Sequence, residues 1–487
     1  MRIRNTIIVL VLLAVVGGYA YYASKQPAEQ SNKLFKIKPE DVAAVSLKYP
    51  GREIELAKEA GKWMLVKPIA AEADQTAANN IARAVADCEV KKTLEEVPAN
   101  LQPFGLAKPE VIVTVTTNDK RTLPGIEVGK TTPVGFSAYI KTTDKPDVML
   151  TTSAFPPEVK KTVDELRDRE LVKFDPDEVQ KITLDRGDGN AVELDQEHGV
   201  WVIVKPAKYT ADQAAVRQFL TSLVGTRIDQ FVNDKPSGLS QFGLDKPRLT
   251  ISVFAGKQEA RQSLMFGAKQ SPAEKDAIYV RRGESAPVYT VHSYAFSDVN
   301  KSLNDLRDKT LLAFDPAKVE RVTVSAGAKS FMLERPADGK WQVVEGGSKV
   351  PADVVEVERY LDQLHDAKGK SIVEDPMSDP KKFGMDAPAE EVTLNSKDGK
   401  LLGELKVAKL ERRNETGGAT PVPVARVDYY ATSSAGSAVY GLDNLEFDEL
   451  TRTAKELRSK SAATPEPSPA AHSTVSLAHP TPSPAKK

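Results

Sequence analysis

The chain has 487 residues, 40% of them apolar and 28% charged, a composition that suits a soluble globular body of roughly three domains at about 150 residues each. The formal net charge is −1, with Lys and Arg interspersed among Asp and Glu, which excludes the concentrated basic face of a nucleic-acid platform. A single cysteine, Cys88, excludes an intrachain disulfide and a cysteine-based zinc cluster.

The N-terminus opens with MRIRN, placing Arg2 and Arg4 before the uncharged run TIIVLVLLAVVGGYAYYA, Thr6 to Ala23. As a helix rising 1.5 Å per residue, these 18 residues nearly cross the roughly 30 Å hydrocarbon core of a bilayer. Tyr19, Tyr21 and Tyr22 then fall at the far interface, and the leading arginines predict a cytoplasmic N-terminus. The reading is a transmembrane anchor over residues 1–24, single-pass in a bacterial inner membrane, with the bulk of the chain periplasmic. A cleaved signal peptide is the alternative, because Gly18 and Ala20 are small residues at the spacing a signal peptidase uses. No cysteine follows the run, which excludes a lipoprotein.

Past this run the chain repeats itself. LRDRELVKFDPDEV, Leu166 to Val179, returns as LRDKTLLAFDPAKV, Leu306 to Val319, 140 residues later. One tryptophan follows a hairpin signal in each of three segments: AGKWMLVKP at Trp63, HGVWVIVKP at Trp201 and DGKWQVVEG at Trp341. PFGLAKPEVIVTV, QFGLDKPRLTISV and KFGMDAPAEEVTL then place Phe104, Phe242 and Phe383 at intervals of 138 and 141 residues. LFKIKPEDV, from Leu34, is the first unit's version of the junction. This self-similarity predicts tandem repeat domains over residues 34–171, 172–311 and 312–458, each large enough to bury its own core, rather than a solenoid of dependent repeats.

Each unit reads in the same order. An alternating strand such as Val179, Ile182 and Leu184 leads through a Gly-containing turn to the tryptophan strand. An amphipathic helix opens on Asp74, Asp212 or Asp353; its apolar face in the second unit is Val216, Phe219, Leu220, Leu223 and Val224, the i, i+3, i+4, i+7, i+8 pattern. After the FG loop a strand alternates cleanly, as at Val111, Val113 and Val115 or Leu249, Ile251 and Val253. Short strands follow, one headed by Tyr139, Tyr279 or Tyr430, with Val148, Val288 or Val439 9 residues later. A short helix ending in ELRD or DLRD closes the first two units, and FDELTRTAKEL does so in the third. The fold class predicted is α+β: three tandem repeats of a mostly antiparallel sheet with about two helices each, behind an N-terminal transmembrane helix. From Ser461 onward Pro, Ala, Ser and Thr dominate, which predicts a disordered tail over residues 459–487.

No arrangement of residues points to catalysis. GIEVGKTT, Gly125 to Thr132, has the look of a nucleotide-binding loop but carries three residues between its glycines, where that motif needs four and a helix after them. His198, His292 and His365 occupy non-equivalent places in the three units, with no metal-ligand spacing. Cys88 lies beside the apolar stripe of its helix, as a buried thiol does. The repeated Arg167 and Arg307, with Asp168 and Asp308, are read as ties between a closing helix and the next domain. The tryptophans are read as core or sheet-face residues. RGD at Arg186 to Asp188 is a turn. No catalytic residue, cofactor-binding residue or metal ligand is assigned, and no enzyme activity, cofactor or nucleic-acid partner is expected.

The set of WMLVKP and WVIVKP, the helix opening on Asp, the FGL-x-x-P turn and the closing strands resembles the bacterial family called domain of unknown function 4340. The likeness runs from about Leu34 to Arg458, with WQVVEG, FGM and the insertion ERRNETGGATPVPVA as departures in the third unit. It implies a membrane-anchored envelope protein encoded near ABC exporters of the gliding-motility type. The expected function is a non-catalytic periplasmic accessory or scaffold with protein partners, ABC transporter subunits among them. The alternatives are an envelope protein that binds a glycan, lipid or peptidoglycan between units, and a hydrolase whose site is assembled across domains.

Overall fold

A computed structural model describes residues 32–95, 99–133, 137–256, 260–270, 276–283, 287–414 and 424–459. The expected membrane span and the expected tail lie outside these residues. Among the described residues no helix is long and apolar enough to cross a membrane.

Three nine-stranded antiparallel sheets follow one another along the chain. In the first, β1 (Val42–Tyr49), β2 (Arg52–Glu59), β3 (Lys62–Lys67) and β4 (Ala71–Glu72) form a meander. β5 (Val90–Glu95), β6 (Val111–Thr117), β7 (Ile126–Thr131), β8 (Ala138–Thr142) and β9 (Val148–Thr151) complete it. The spatial order is β4-β3-β2-β1-β6-β7-β8-β9-β5. The chain therefore leaves the meander at β4, crosses by a helix to lay β5 on the far edge, and returns to pair β6 with β1. The second and third sheets, from Val179–Asp185 and from Arg321–Ala326 onward, repeat this order strand for strand.

The crossing helices are α1 (Gln75–Ala86), α2 (Gln213–Gly225) and α3 (Val354–Asp366). Each begins where a short polar side chain can satisfy the orphan amides of a first turn: Asp74 accepts from Ala77 N, Asp212 from Ala214 N and Ala215 N, and Asp353 from Val355 N and Glu356 N. In the first repeat the helix buries Ala78, Ile81, Ala82 and Val85 against Val45, Leu47, Val113, Val115, Ile126 and Val128 of the sheet. All three tryptophans are buried, at 1%, 7% and 4% exposure. Trp63 donates its indole N–H to Asn79 Oδ1 at 2.8 Å.

The chain packs as two compact units that do not follow the repeat boundaries. One reaches Val179 and takes in Leu184–Gly189 and Thr221–Val299; the other takes in Gln180–Thr183, Asn190–Leu220 and the chain from Asn300. The second repeat thus contributes to both.

The FG loops and the tyrosine strands, recognised separately in the sequence, meet in space. Phe104 packs edge-on against Tyr139, Phe242 against Tyr279 and Phe383 against Tyr430, with centroids 5.2, 5.1 and 5.2 Å apart. Such pairs contribute about 0.5–1.5 kcal/mol beyond simple burial. The close approach of that loop explains Gly129, the second glycine of the stretch that resembles a phosphate loop. A Cβ on Gly129 would lie 2.3 Å from Phe104 O, and one on Gly267 2.2 Å from Phe242 O. Residues 126–131 are a strand, not a loop before a helix.

A glutamine at the first helical position locks the tryptophan strand to the helix in two repeats. Gln75 accepts from Trp63 N at 2.8 Å and donates to Trp63 O and Ala73 O, both at 2.9 Å. Gln213 does the same with Trp201 and Ala211 at 2.8–3.0 Å. The third repeat has Val354 there, 45% exposed. Removing this three-bond clamp by Gln213→Ala is expected to cost about 1–2 kcal/mol, read as a lower urea midpoint at unchanged slope. Val354→Gln is expected to raise the stability of the third repeat by about 1 kcal/mol.

Candidate functional site

The short helix that follows the last strand of each repeat lies against the end of the long helix and leaves a cleft. In the first repeat the short helix is Phe155–Val159, and the cleft, of about 360 Å³, is lined by Asn80, Arg83, Asp87, Cys88, Thr152 and Glu158 among others. In the second, Ser293–Val299 bounds a cleft of about 470 Å³ with Ser222, Arg227, Asp229, His292, Tyr294 and Asp298. In the third, Asn444–Leu450 bounds one of about 340 Å³ with Asp362, Gln363, Asp366, Glu446, Glu449 and Leu450.

Two positions are shared. A carboxylate stands 10 residues after the recurring valine in every repeat: Glu158, Asp298 and Glu449. The residue six after the same valine is solvent-facing in each repeat: Ala154, and Tyr294 and Leu445, which are 68% and 65% exposed. Tyr294 lines the second cleft, and Leu445 precedes Glu446, which lines the third. The remaining lining differs from repeat to repeat.

Local chemistry follows the lining. Cys88 sits on the floor of the first cleft, 2% exposed. Burial pushes its thiol up to about 11, opposed by a contact with Thr151 Oγ1 at 3.5 Å. In the second cleft His292 Nε2 lies 3.6 Å from Asp229 Oδ1 and its ring stacks on Tyr294 at 5.4 Å. Arg169 is tied down there, donating to Ile228 O at 2.9 Å and Asp229 O at 2.7 Å. Ser222 shares this cleft with His292 and Asp229, but the matching positions are Ala84 and Gln363. A Ser–His–Asp chemistry would be private to one repeat. In the third cleft Glu446 pairs with Lys370 at 2.9 Å. Among the described residues no group of three or more His, Cys, Asp or Glu is placed to hold a metal ion.

The LRD arginines occupy the seams between repeats. Arg167, its side chain 8% exposed, donates through Nη2 to Asp234 Oδ1 at 2.6 Å and through Nη1 to Asp234 Oδ2 at 3.3 Å, with its guanidinium 3.8 Å above the Phe231 ring. Arg307, 10% exposed, donates to Asp375 Oδ2 at 2.6 Å and lies 3.8 Å above Tyr209. The neighbouring aspartates turn the chain instead: Asp168 accepts from Glu170 N at 2.9 Å and Asp308 from Thr310 N at 3.1 Å. The partners of the arginines are therefore the acids Asp234 and Asp375 of the following repeat, 67 and 68 residues on. His365 packs edge-on to Phe314 at 5.6 Å, at the rim of its helix face. Arg186 to Asp188 lie in the turn between the first two strands of the second sheet.

Sequence reasoning missed the clefts, because their shared acids fall in helices of seven residues or fewer, too short to show a full period. It also missed that Glu165, Asp305 and Glu456 recur as capping acids, accepting from Thr162, Ser302 and Thr453. The signal was present as T-x-x-E, S-x-x-D and T-x-x-E.

A buried thiol held high in pKa is a poor nucleophile. In the native protein Cys88 is expected to react with a thiol reagent at pH 8 at least about 100-fold more slowly than in urea. Equal rates in stopped-flow labelling would contradict this placement.

Comparison with known proteins gives one match. A family model described as Domain of unknown function (DUF4340) matches residues 63–199, 201–346 and 341–479. The first two matches begin on Trp63 and Trp201, and the third begins on Trp341. No curated protein matches, and no solved structure matches.

Proposed function

The chain belongs to the DUF4340 family, whose function is unknown, and we propose that it is a non-catalytic accessory or scaffold protein. In this reading it is anchored in a bacterial inner membrane by residues 6–23 and presents repeat domains 34–171, 172–311 and 312–458 to the periplasm. Its partners are envelope proteins, ABC transporter subunits in particular. The observation that carries the reading is the cleft that recurs at one place in every repeat. Its shared feature is an acid, an exposed apolar side chain stands at or beside it in two repeats, and its polar lining changes. Interaction surfaces tolerate that variation around a few apolar anchors; an active site needs the same reacting groups each time.

One observation favours the second reading, an envelope ligand. A cleft of about 580 Å³ is lined by Phe231 and Tyr289 with Arg167, Lys235 and Arg282 and the acids Glu72, Asp168 and Asp234, a mixture of aromatic rings and balanced charge that suits a sugar-like molecule. The burial of the three tryptophans removes them as a stacking platform for it.

Affinity purification of the full-length protein from gently solubilised membranes, with mass spectrometry of its partners and of its N-terminus, tests the proposal. ABC transporter subunits are expected with an intact residue 1–24 segment. The double variant Tyr294→Asp, Leu445→Asp is expected to lower their recovery about 5-fold or more, as loss of about 1 kcal/mol of anchor contact does, at unchanged thermal stability. Recovery of a form starting near Tyr21 with no protein partner would overturn the reading and favour a secreted ligand-binding protein.

A further inference from the structure

The third repeat carries a carboxylate where the other two carry core residues. Glu390 occupies the position of Val111 and Leu249, which are both fully buried, and is itself 5% exposed. Its neighbour on the long helix changes with it: Tyr360 stands where the other repeats have Ile81 and Phe219. The two polar groups meet. Tyr360 Oη lies 3.4 Å from Glu390 Oε1 and 3.2 Å from Leu450 O, and is itself fully buried.

The chain that closes the repeat completes the cluster. Arg452 N donates to Glu390 Oε1 at 3.2 Å and Oε2 at 3.3 Å. Its guanidinium sits 5.7 Å from the Tyr360 ring centre and donates to Gln363 Oε1 at 2.7 Å. Gln363 and Leu450 both line the third cleft. Facing the carboxyl are thus Tyr360 from α3, and Arg452 and Glu456 from the closing segment; across the sheet it pairs with the uncharged Val407. Glu456 is held below the ordinary carboxylate range by hydrogen bonds from Thr453, so it stays ionised near neutral pH.

We propose that Glu390, Tyr360 and Arg452 form a proton-sensitive latch that fastens the closing segment, residues 450–458, over the sheet and the end of α3. The latch is tight while the Glu390 carboxyl is protonated and loosens as it ionises. Protonated, the carboxyl can donate to Tyr360 Oη while its other oxygen still accepts from Arg452 N. Ionised, it is a buried charge with weak contacts longer than 3 Å and with Glu456 as a like-charged neighbour. Burial first, with the hydrogen bonds from Arg452 N and Tyr360 opposing it, raises this group from 4.5 to about 7.

The sign follows from proton uptake. Between pH 4.5 and about 7 the closed state holds a proton that the opened state has lost, so closure weakens as pH rises through this window. Below the window closure is at its full strength, and above it the destabilisation is complete. The opening equilibrium of the latch therefore rises by up to about two orders of magnitude across the window.

Hydrogen exchange of the full chain, corrected for intrinsic rates, tests this at pH 5 to 8. In the wild type, the logarithm of the protection of residues 450–458 is expected to fall steadily from pH 5 and to level off near pH 7, while the equivalent residues 159–167 of the first repeat change little. Glu390→Gln is expected to abolish the pH dependence and hold the segment at its acidic level of protection. The pair Glu390→Leu, Tyr360→Phe, which restores the residues of the second repeat, is expected to do the same. A wild-type profile that is flat from pH 5 to 8, or a Glu390→Gln profile that follows the wild type, would overturn the latch. If Glu390→Gln does not fold, the wild-type slope between pH 5 and 7 alone decides.

Discussion

A guanidinium buried at a seam between repeats has to be paired, and that requirement organises the chain. Arg167 and Arg307 each leave a closing turn, lie flat on an aromatic ring and reach an aspartate of the following repeat. An isolated buried charge costs several kcal/mol, so such an arginine commits its neighbour to a position. The pair is not worth much in itself against an apolar alternative; its effect is to specify which acid must be there. Arg458, at the equivalent place in the third repeat, instead pairs with Glu345 of its own repeat.

The backbone around these arginines explains why the junction motif is spelled twice. The carbonyl before each arginine accepts from the N-cap aspartate of its own long helix: Leu166 O from Asp74 N at 2.9 Å and Leu306 O from Asp212 N at 2.8 Å. Two residues later the chain has joined the next repeat, where Arg169 O accepts from Ile228 N at 2.8 Å and Lys309 O from Gly369 N at 2.9 Å. Leu171 and Leu311 then enter cores. One short segment thus ends one fold and begins another, which leaves little freedom in its sequence. The third repeat departs from the others at positions that hold packing rather than topology. Val354 replaces the clamp glutamine, Ala408 replaces the tight glycine, and Tyr360 with Glu390 replaces an apolar pair, yet the strand order is unchanged.

The sheet strands and long helices were legible because each has a period that its burial obeys: β6 alternates buried and half-buried residues along its whole length, and the apolar stripe named for α2 is buried at Val216, Phe219, Leu220 and Leu223. The N-caps were legible because aspartate is the residue that satisfies a first helical turn. The far-edge placement of β5 was not, since strand pairing over such distances leaves no local mark. The clefts were hidden for a related reason: helices as short as Phe155–Val159 show no full period. Glu390 was hidden because EEVTL still reads as an alternating strand with one polar residue out of phase.

A double-mutant cycle on Arg307 and Asp375 tests the seam most directly. Arg307→Ala, Asp375→Ala and the double variant would be compared by urea unfolding of the full-length protein. The account predicts that each single change costs about 3 kcal/mol and the double change no more than either alone, a coupling of about 3 kcal/mol or more. Additive losses, with coupling near zero, would show that the two groups do not hold each other and would contradict the account.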